Sequence, residues 1–310
     1  MPDNVVMSLL PDTMTFVQRG WLSANHLVLH DHQESVLIDS GYVSHAEQTL
    51  HLIDHALEGR PLDRLLNTHL HSDHCGGNAS LQAKYPLLQT TIAPGLAAAV
   101  SNWDEAELTY GPTGQDCPRF RFERLMNPGD ELLLAGSSWQ VHAAPGHDPH
   151  SIVLFQPDHA ILVSADALWE NGFGVVFPEI EGEDGFSGIA QTLDLIERLS
   201  PRVVVPGHGA VFTDVSGALA RARQRLASFQ TAPSKHASHA AKVLLKFKLL
   251  DWQHVSDAEL GLWSQGCRYL HELHQRFYPT LDVHDWVHQC MRDLVHAGAA
   301  ERDGLYWVNR

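Results

Sequence analysis

The stretch Asn67-Thr68-His69-Leu70-His71-Ser72-Asp73-His74-Cys75-Gly76-Gly77 places four metal-binding side chains within six residues, in the spacing His-x-His-x-Asp-His. Leu65-Leu66 before it predict the end of a buried strand, and Gly76-Gly77 after it predict a tight bend. Imidazole and carboxylate groups are ligands for zinc and other first-row divalent metals. A histidine-rich surface loop is the alternative in a chain with 22 His, but the whole pattern at a strand end favours a metal site.

Three more ligand-type residues lie downstream, each after an apolar run. They are His147 after Ala144-Pro145-Gly146, Asp166 after Ile161-Leu162-Val163-Ser164-Ala165, and His208 after Val203-Val204-Val205-Pro206-Gly207. Four ligands in one loop cannot complete the coordination shells of two metals, so these residues are candidate partners. Loops at strand ends are also where rigid scaffolds place chemical groups.

Together these motifs resemble those of the metallo-β-lactamase fold superfamily of metallohydrolases, especially its glyoxalase II-like hydrolases. The resemblance covers roughly residues 14–215. It implies an α/β fold, a four-layer αββα sandwich, here with a helical C-terminal extension. The order strand, helix, strand and ligand loop in residues 35–75 suits such a layered architecture.

The resemblance also implies roles for individual residues. Two divalent metals would be held by His69, His71 and His147 at the first site, by Asp73, His74 and His208 at the second, and by Asp166 between them. Asp39 would support the ligand loop without binding metal. His150 stands where these enzymes often carry Gly, which places an extra imidazole near the site; we expect it behind the ligands or on the surface rather than as an eighth ligand. Zn²⁺ is the expected metal, with iron and manganese as alternatives for a His and Asp ligand set.

The implied reaction is hydrolysis of a small carbonyl ester or thioester by a hydroxide that two metals generate. Asp73 is the expected catalytic residue, since it would orient the second metal and carry a proton to the leaving group. A thioester is favoured because a thiolate leaves readily. The alternatives are a lactone or phosphodiester hydrolase, or a persulfide dioxygenase that keeps the same loop but binds a single iron.

Two segments are candidates for substrate contact. Trp169, Phe173 and Phe177 follow Asp166 closely and predict an apolar substrate pocket, although they would equally suit a core. Residues 101–121 are irregular and contain several Gly and Pro residues. Such a segment is either a lid over the site or an ordinary surface connection.

The chain divides at about residue 215 into a catalytic region, 1–215, and a mainly helical region, 216–310. A capping box, Ser44-His45-Ala46-Glu47, predicts the start of the first helix. In the second region, helical patterns cover 219–229, 240–250, 260–277 and 283–297, and two short strands flank Asp303-Gly304. This order resembles the winged-helix-like tails of some superfamily members. The His pairs of this region do not indicate a second metal centre, and no dense Lys/Arg helix favours DNA recognition.

Charge and composition narrow the choice of partner. The net charge is −16; residues 216–310 hold 12 Lys/Arg and 9 Asp/Glu, so the catalytic region carries −19. That charge disfavours a nuclease acting on long nucleic acid, because polyanion binding needs clustered positive charge. We therefore expect a small-molecule substrate, and the aromatic and Leu content of the C-terminal region predicts that it packs against the catalytic region and shapes either the pocket or a homodimer interface.

The sequence also bears on location. No stretch of 18 apolar residues is present, so no membrane span is expected. Residues 1–4 lack the basic and apolar segments of a secretory signal. The four Cys are widely spaced without a Cys-x-x-Cys pair, which predicts reduced thiols. These features favour a cytoplasmic protein, while the physiological substrate and the oligomeric state are left open.

Overall fold

A computed structural model describes residues 9–310 of this protein. Its core is built from strands whose successive side chains face alternately a second sheet and a layer of helices. In one strand Leu27 and Leu29 face a second sheet, while Val28 between them faces helices. Successive side chains of a strand point to opposite faces, so two such sheets can share one core and each bury a second face under helices. The expectation for residues 1–4 lies outside the described residues.

The first sheet has six strands in chain order. They are β1 (Met14–Val17), β2 (His26–His30), β3 (Ser35–Ile38), β4 (Arg64–Leu66), β5 (Gln89–Ile92) and β6 (Arg124–Leu125). β1 to β3 pair antiparallel, whereas β3 to β6 run parallel. Because β3 and β4 run parallel, Asp39 and the loop of His69 leave the sheet at the same edge.

The second sheet has five strands, in the spatial order β11, β10, β9, β8, β7. They are β7 (Glu131–Leu134), β8 (Ser137–Ala143), β9 (Ile152–Gln156), β10 (Ile161–Ala165) and β11 (Val203–Pro206). Only β10 and β11 are parallel, so Asp166 and His208 emerge side by side just past their ends.

Helices form the two outer layers. Up to residue 231 they are α1 (Ala46–Leu57), α2 (Ser72–Cys75), α3 (Asn78–Lys84), α4 (Ala97–Asn102), α5 (Tyr110–Thr113), α6 (Phe177–Glu181), α7 (Phe186–Leu199) and α8 (Val215–Thr231). α1 and α3 bury Ile53 and Leu81 against the first sheet, and α7 and α8 bury Leu193 and Leu219 against the second. This arrangement confirms the predicted four-layer αββα sandwich with its helical C-terminal extension.

The start of α1 differs from the prediction. The chain enters through a 3-10 turn, Val43–His45, and His45 rather than Ser44 occupies the N-cap without a side-chain cap hydrogen bond. The predicted capping box is therefore wrong. The tight entry turn gives Ser44 a helical position, where its hydroxyl cannot cap the later turn.

The irregular segment 101–121 packs in an apolar cluster that it shares with the ligand loop, β5 and α4. Trp103 lies 5.5 Å from Phe120, measured between ring centroids, and the short helix α5 lies beneath them. The cluster also brings Cys117 beside Cys75, with the two sulfurs 3.8 Å apart, although 41 residues separate them in the chain. All four cysteines are buried free thiols. The segment is thus packed against the ligand loop through buried side chains.

The C-terminal region combines helices with a small antiparallel sheet. Its elements are α9 (Pro233–Trp252), β12 (His254–Ser256), α10 (Asp257–Gly266), α11 (Arg268–Phe277), α12 (Val283–His296), β13 (Ala300–Asp303) and β14 (Tyr306–Asn309). The sheet order is β12, β14, β13. Its core begins at Ala237 and includes Val175 and Ile180 of the catalytic region. The boundary at residue 215 stays a prediction.

In residues 9–310, none of the helices has the combined length and apolar character that crossing a bilayer requires.

Candidate metal centre

The predicted ligand residues meet at one edge of the sandwich. The loop after β4 carries His69 and His71, and the one-turn helix α2 that follows carries Asp73 and His74. The loop between β8 and β9 carries His147, and Asp166 and His208 follow β10 and β11. Within the described residues, two groups of these side chains bring their ligand atoms within 4.8 Å of one another, and all seven predicted ligands belong to them.

The first group consists of three buried imidazoles. Nδ1 of His71 lies 2.8 Å from Nε2 of His147 and 3.1 Å from Nε2 of His69. Metal bonds of about 2.1 Å in a tetrahedral arrangement would separate such ligand atoms by about 3.4 Å. The three nitrogens therefore converge closely enough to bind one cation.

The second group consists of Asp73, His74, Asp166 and His208. Nε2 of His208 lies 3.1 Å from Oδ2 of Asp73, and Nε2 of His74 lies 3.4 Å from Oδ1 of Asp166. The other oxygen of Asp166, Oδ2, lies 3.4 Å from Nε2 of His147 in the first group. Asp166 thus faces both groups, one oxygen toward each.

His74 supplies an independent sign that a cation fits here. Its Nε2 is a buried polar atom without a hydrogen-bond partner, while its Nδ1 is bonded to Oδ2 of Asp39 at 2.7 Å. An unsatisfied buried polar atom is costly, so its position among carboxylates fits a ligand atom. The Asp39 bond fixes the ring orientation, as carboxylates do for metal-binding imidazoles.

Proton affinities in the two groups differ in direction. Burial opposes protonation of His74, but three surrounding carboxylates outweigh it and raise the pKa of His74 well above its ordinary value. In the first group, burial followed by repulsion from His147 lowers the pKa of His71 to about 4. Burial would raise the pKa of Asp73, yet the neighbouring imidazoles lower it. The lowered pKa values of His69 and His71 thus favour neutral imidazoles in the first group, whereas the raised pKa of His74 and the lowered pKa of Asp73 favour a charged pair in the second.

Other groups hold the ligands from behind. Nδ1 of His147 donates to the carbonyl of Val175, and Nε2 of His71 lies 3.6 Å from Oδ2 of the buried Asp148. The side chain of His150 is exposed and packs over Gly95, so of the two predicted positions it takes the surface one and does not lie directly behind the ligands. Since Asp148 lies two residues earlier in a tight turn, it faces the ligands and His150 faces outward.

Gly76 and Gly77 serve the loop differently from the prediction. Both have helical φ values, −62° and −82°, so no unusual backbone angle requires glycine. A Cβ on Gly77 would instead lie 2.3 Å from the carbonyl oxygen of Ser40, and one on Gly76 2.5 Å from that of Ser72. Similarly, a Cβ on Gly207 would lie 2.3 Å from Oδ1 of Asp166. Glycine is needed because backbone or a ligand approaches closely.

Aromatic side chains form the walls of the cleft above the ligands. The exposed Trp21 stacks on His208 with ring centroids 5.3 Å apart and an interplanar angle of 6°. Trp169 donates from Nε1 to Oδ1 of Asp166 at 3.2 Å, and Phe177 packs edge-on against His71. Both residues line the cleft, as predicted for a pocket.

Phe173, the third predicted pocket residue, does not line the cleft. It is 1% exposed and packs in the core between the second sheet and α8. Its ring lies 6.3 Å from that of Phe229, between centroids. The backbone of Gly172 to Gly174 turns this side chain toward the sheet, while the cleft-facing positions go to Trp169 and Phe177.

A family model matches residues 19–208 and describes the metallo-beta-lactamase superfamily. The chain belongs to this superfamily. The matched range ends at His208, and it contains every residue of the two ligand groups. The predicted family is therefore confirmed.

Similar curated superfamily members include two named hydrolases. A hydroxyacylglutathione hydrolase from Brucella anthropi is 29% identical over 154 residues, which are 50% of this chain and 47% of that protein. An acyl-coenzyme A thioesterase from Gallus gallus is 27% identical over 154 residues, 47% of this chain and 56% of that protein. The chain thus spans about half the length of these relatives.

Solved structures share the fold over a longer range. A metallo-beta-lactamase family protein from Thermus thermophilus superposes with a TM-score of 0.59 at 19% identity, covering 98% of this chain and all of the other. A beta-lactamase domain protein from Burkholderia ambifaria gives 0.57 at 19% identity, covering 96% and 91%. The C-terminal helices of this superfamily member therefore belong to a shared architecture.

Several residues of this superfamily site escaped sequence reasoning. Trp21 lies before β2, outside the motifs from which the site was predicted, and Val243, Leu244 and Phe247 of α9 line the cleft from the C-terminal region. Asp148 was overlooked beside His150. The periodic apolar face of α9 predicts burial, but nothing in the sequence alone shows that part of this face covers the metal centre.

Proposed function

We propose that this protein is a metal-dependent hydrolase that cleaves a small carbonyl ester or thioester, with a thioester preferred. One observation carries the proposal: Oδ1 of Asp166 faces the second ligand group and Oδ2 faces the first, each 3.4 Å from an imidazole nitrogen. Two cations held by one shared carboxylate are typical of hydrolytic centres. The hydrolase names of the two relatives support the same reaction class.

Two divalent cations are part of the proposal, and their ligands are imidazole nitrogen and carboxylate oxygen without thiolate. That donor set suits zinc, iron or manganese. When bound in such a site, these cations lower the pKa of water and neutralise negative charge that develops on substrate oxygen.

Asp73 is the proposed proton carrier. Its side chain is 14% exposed and opens to the cleft, whereas that of Asp166 is 7% exposed. Exposure lets the Asp73 carboxyl reach a leaving group and exchange protons with water. Trp21 and Phe177 enclose the apolar part of the cleft, which suits an acyl group and limits access of bulk water.

Steady-state kinetics on metal-loaded protein tests the reaction class. We expect a panel of thioesters to be hydrolysed with higher kcat/KM than lactones, phosphodiesters and β-lactams of similar size. Asp73→Asn should lower kcat far more than it changes KM, because proton transfer acts mainly in the transition state. Phosphodiester turnover several powers of ten above that of every thioester would contradict the proposal.

Elemental analysis tests the metal content separately. Wild-type protein reconstituted with Zn²⁺ should hold two equivalents, and Asp166→Ala should reduce both. Asp148→Asn is a matched control, since this buried carboxylate lies behind His71 and belongs to neither ligand group. A plateau at one equivalent in the wild-type protein would overturn the dinuclear proposal.

A further inference from the structure

The metal cleft adjoins a second cavity on the side of the C-terminal region. Five residues line both spaces: Trp21, Trp169, Val175, Val243 and Phe247. The second cavity, here called the α9 groove, has a volume of about 560 Å³. A molecule whose reacting bond lies at the metals therefore has room to extend along α9.

The α9 groove is rich in positive charge. Three cations line it, Arg225 from α8 and Lys242 and Lys246 from α9, against a single carboxylate, Asp293. Burial lowers the pKa of the other titratable group, His239, to about 4, so this imidazole is neutral near pH 7. The groove thus carries a net positive charge from residues 216–310, next to a catalytic region that carries −19.

Two of these cations lack an acidic partner. Among the described residues, neither Arg225 nor Lys242 lies within 4.0 Å of a carboxylate, and both are half-buried. Arg223, on the same helix but outside the groove, pairs with Asp194 and Glu197 at 2.7 Å. Half-buried cations without a counter-charge are the groups that an anionic ligand would stabilise.

The three groove cations differ in how far hydrogen bonds within the protein already engage them. Among residues 9–310, Arg225 donates one weak hydrogen bond, 3.4 Å long, to the carbonyl of Phe173, and its guanidinium lies where Gly172 has no side chain. Lys246 is engaged with the C-terminal strand, since its Nζ donates to the carbonyls of Ala299 and Arg310. Arg225 and Lys242 are therefore the cations available to a ligand.

The cleft has the opposite charge on its other side. There a cavity of about 460 Å³ begins at His71 and Phe177, and its carboxylates are Glu107, Asp148, Glu181 and Glu183. Its one cation, Arg268, is paired with Glu181 and Glu272. An anionic group would be repelled on this side and attracted on the other, so the charges fix one direction for a bound anion.

We propose that the α9 groove binds an anionic arm of the substrate, a carboxylate or phosphate several bonds from the reacting carbonyl, through Arg225 and Lys242. This inference rests on the proposed thioester hydrolysis. The apolar walls at Val243 and Phe247 hold the part of the substrate between the metals and the anion. Arg225 and Lys242 are specificity residues that do not touch the reacting atoms.

Matched thioesters test this selectivity. Four substrates share an acyl chain length: a neutral thioester, one with carboxylates on the thiol, one with phosphates on the thiol, and one with a carboxylate at the end of the acyl chain. Lys242→Gln or Arg225→Gln should lower the ratio of anionic to neutral kcat/KM about tenfold, the equivalent of one charge-assisted hydrogen bond. The effect should appear in KM and weaken at high salt.

The comparison among the three anionic substrates shows whether the groove prefers carboxylate or phosphate, and whether it binds the thiol or the acyl side of the substrate. Arg223→Gln is the matched control. Arg223 lies on the same helix as Arg225, and its loss should not change the ratio. An equal loss for neutral and anionic substrates in the Lys242→Gln and Arg225→Gln variants would overturn the inference.

Direct binding separates this inference from the reaction class. Titration calorimetry with non-hydrolysable thioethers that carry the same anions should give weaker binding to Lys242→Gln than to the wild-type protein. If no thioester is hydrolysed but this difference persists, the anion site stands and the proposed reaction fails. Tight competition by a single-stranded oligonucleotide, with no preference among the anionic thioethers, would overturn the small-anion assignment.

Discussion

At the scale of single residues, three properties of His74 together favour metal binding. Its Nδ1 is fixed by Asp39, its Nε2 lies unsatisfied among carboxylates, and its pKa is raised. A buried imidazolium surrounded by carboxylates can exchange its proton for a cation at little electrostatic cost. In the metal-free protein, a proton on His74 therefore supplies positive charge at the position where a cation would bind.

The raised pKa gives a testable proton count. Near pH 7, we expect metal binding at the second group to release the His74 proton, whereas His69 and His71 release none because their pKa values are lowered. Titration calorimetry in buffers of different ionisation enthalpy measures the release. Affinity at this group should fall about tenfold for each pH unit below neutrality.

A variant of Asp39 tests whether the released proton comes from His74. Asp39→Asn removes a carboxylate that raises the pKa of His74, so it should reduce proton release. Thr68→Ala is the matched control, because it removes a hydrogen bond from Thr68 to Asp39 but leaves the Asp39 contact with His74. Metal binding to the wild-type protein without release of a proton from this group would show that His74 is neutral before metal binds.

The same linkage sets the stability of the metal-free protein. A folded-state pKa above the unfolded value means that protonated His74 stabilises the fold fully below about pH 6.5 and loses this effect as pH rises through the folded pKa. The unfolding free energy of metal-free protein should therefore decline from neutral toward alkaline pH. Denaturant titrations of wild type and Asp39→Asn measure this slope, and an equal slope in both would contradict the assignment to His74.

At the scale of elements, the ligand loop depends on close contact between segments. Between the end of α2 and the start of α3, the backbone of Gly77 lies close against that of Ser40, just past the end of β3. Neither backbone can yield without moving Asp39 or His74, which flank this contact. The loop is thus fixed to the first sheet through a contact that only glycine permits.

A pair of glycine substitutions tests this contact. Gly77→Ala places a Cβ 2.3 Å from a carbonyl oxygen and should cost about 1–3 kcal/mol of unfolding free energy. Gly266→Ala, in the last turn of α10, meets no atom within 4 Å and should be neutral or slightly stabilising. Urea titrations compare the two variants, and equal stability would contradict the proposed close contact.

How far the sequence could predict this molecule depends on the range of the determining contacts. The ligand loop was predictable because its ligands are contiguous, and His147, Asp166 and His208 because apolar runs mark strand ends. Trp21 and Phe247 reach the cleft only through tertiary packing, which no local pattern encodes. The prediction that Phe173 lines the pocket was wrong for the same reason, since some side chains of its segment face the core and others face the cleft.

At the scale of the whole molecule, the C-terminal region completes the site rather than standing beside it. α9 supplies Val243 and Phe247 to the cleft, and its core cluster includes Val175 and Ile180 from the catalytic region. Hydrogen bonds reinforce this contact, as Tyr269 donates to Glu181 and Arg276 to the carbonyl of Glu179. A core shared in this way couples the stability of the two regions.

This coupling predicts a single unfolding event. Differential scanning calorimetry of the full chain should show one transition, because neither region can lose its part of the shared core independently. Ile180→Asp, which buries a charge in that core, should lower the midpoint without splitting the transition. Leu133→Asp is the matched control, since Leu133 lies in β7 and is 69% exposed.

A truncated chain that ends at residue 232 tests whether the catalytic region depends on the C-terminal region. It keeps α8 on the second sheet but removes the cover of Val175 and Ile180, which are 5% and 2% exposed in the full chain. Newly exposed apolar surface should increase binding of a hydrophobic dye and promote association, and activity should fall with the loss of the α9 wall. A truncated protein that remains monomeric and fully active, together with two transitions in the full chain, would identify the C-terminal region as an independent module.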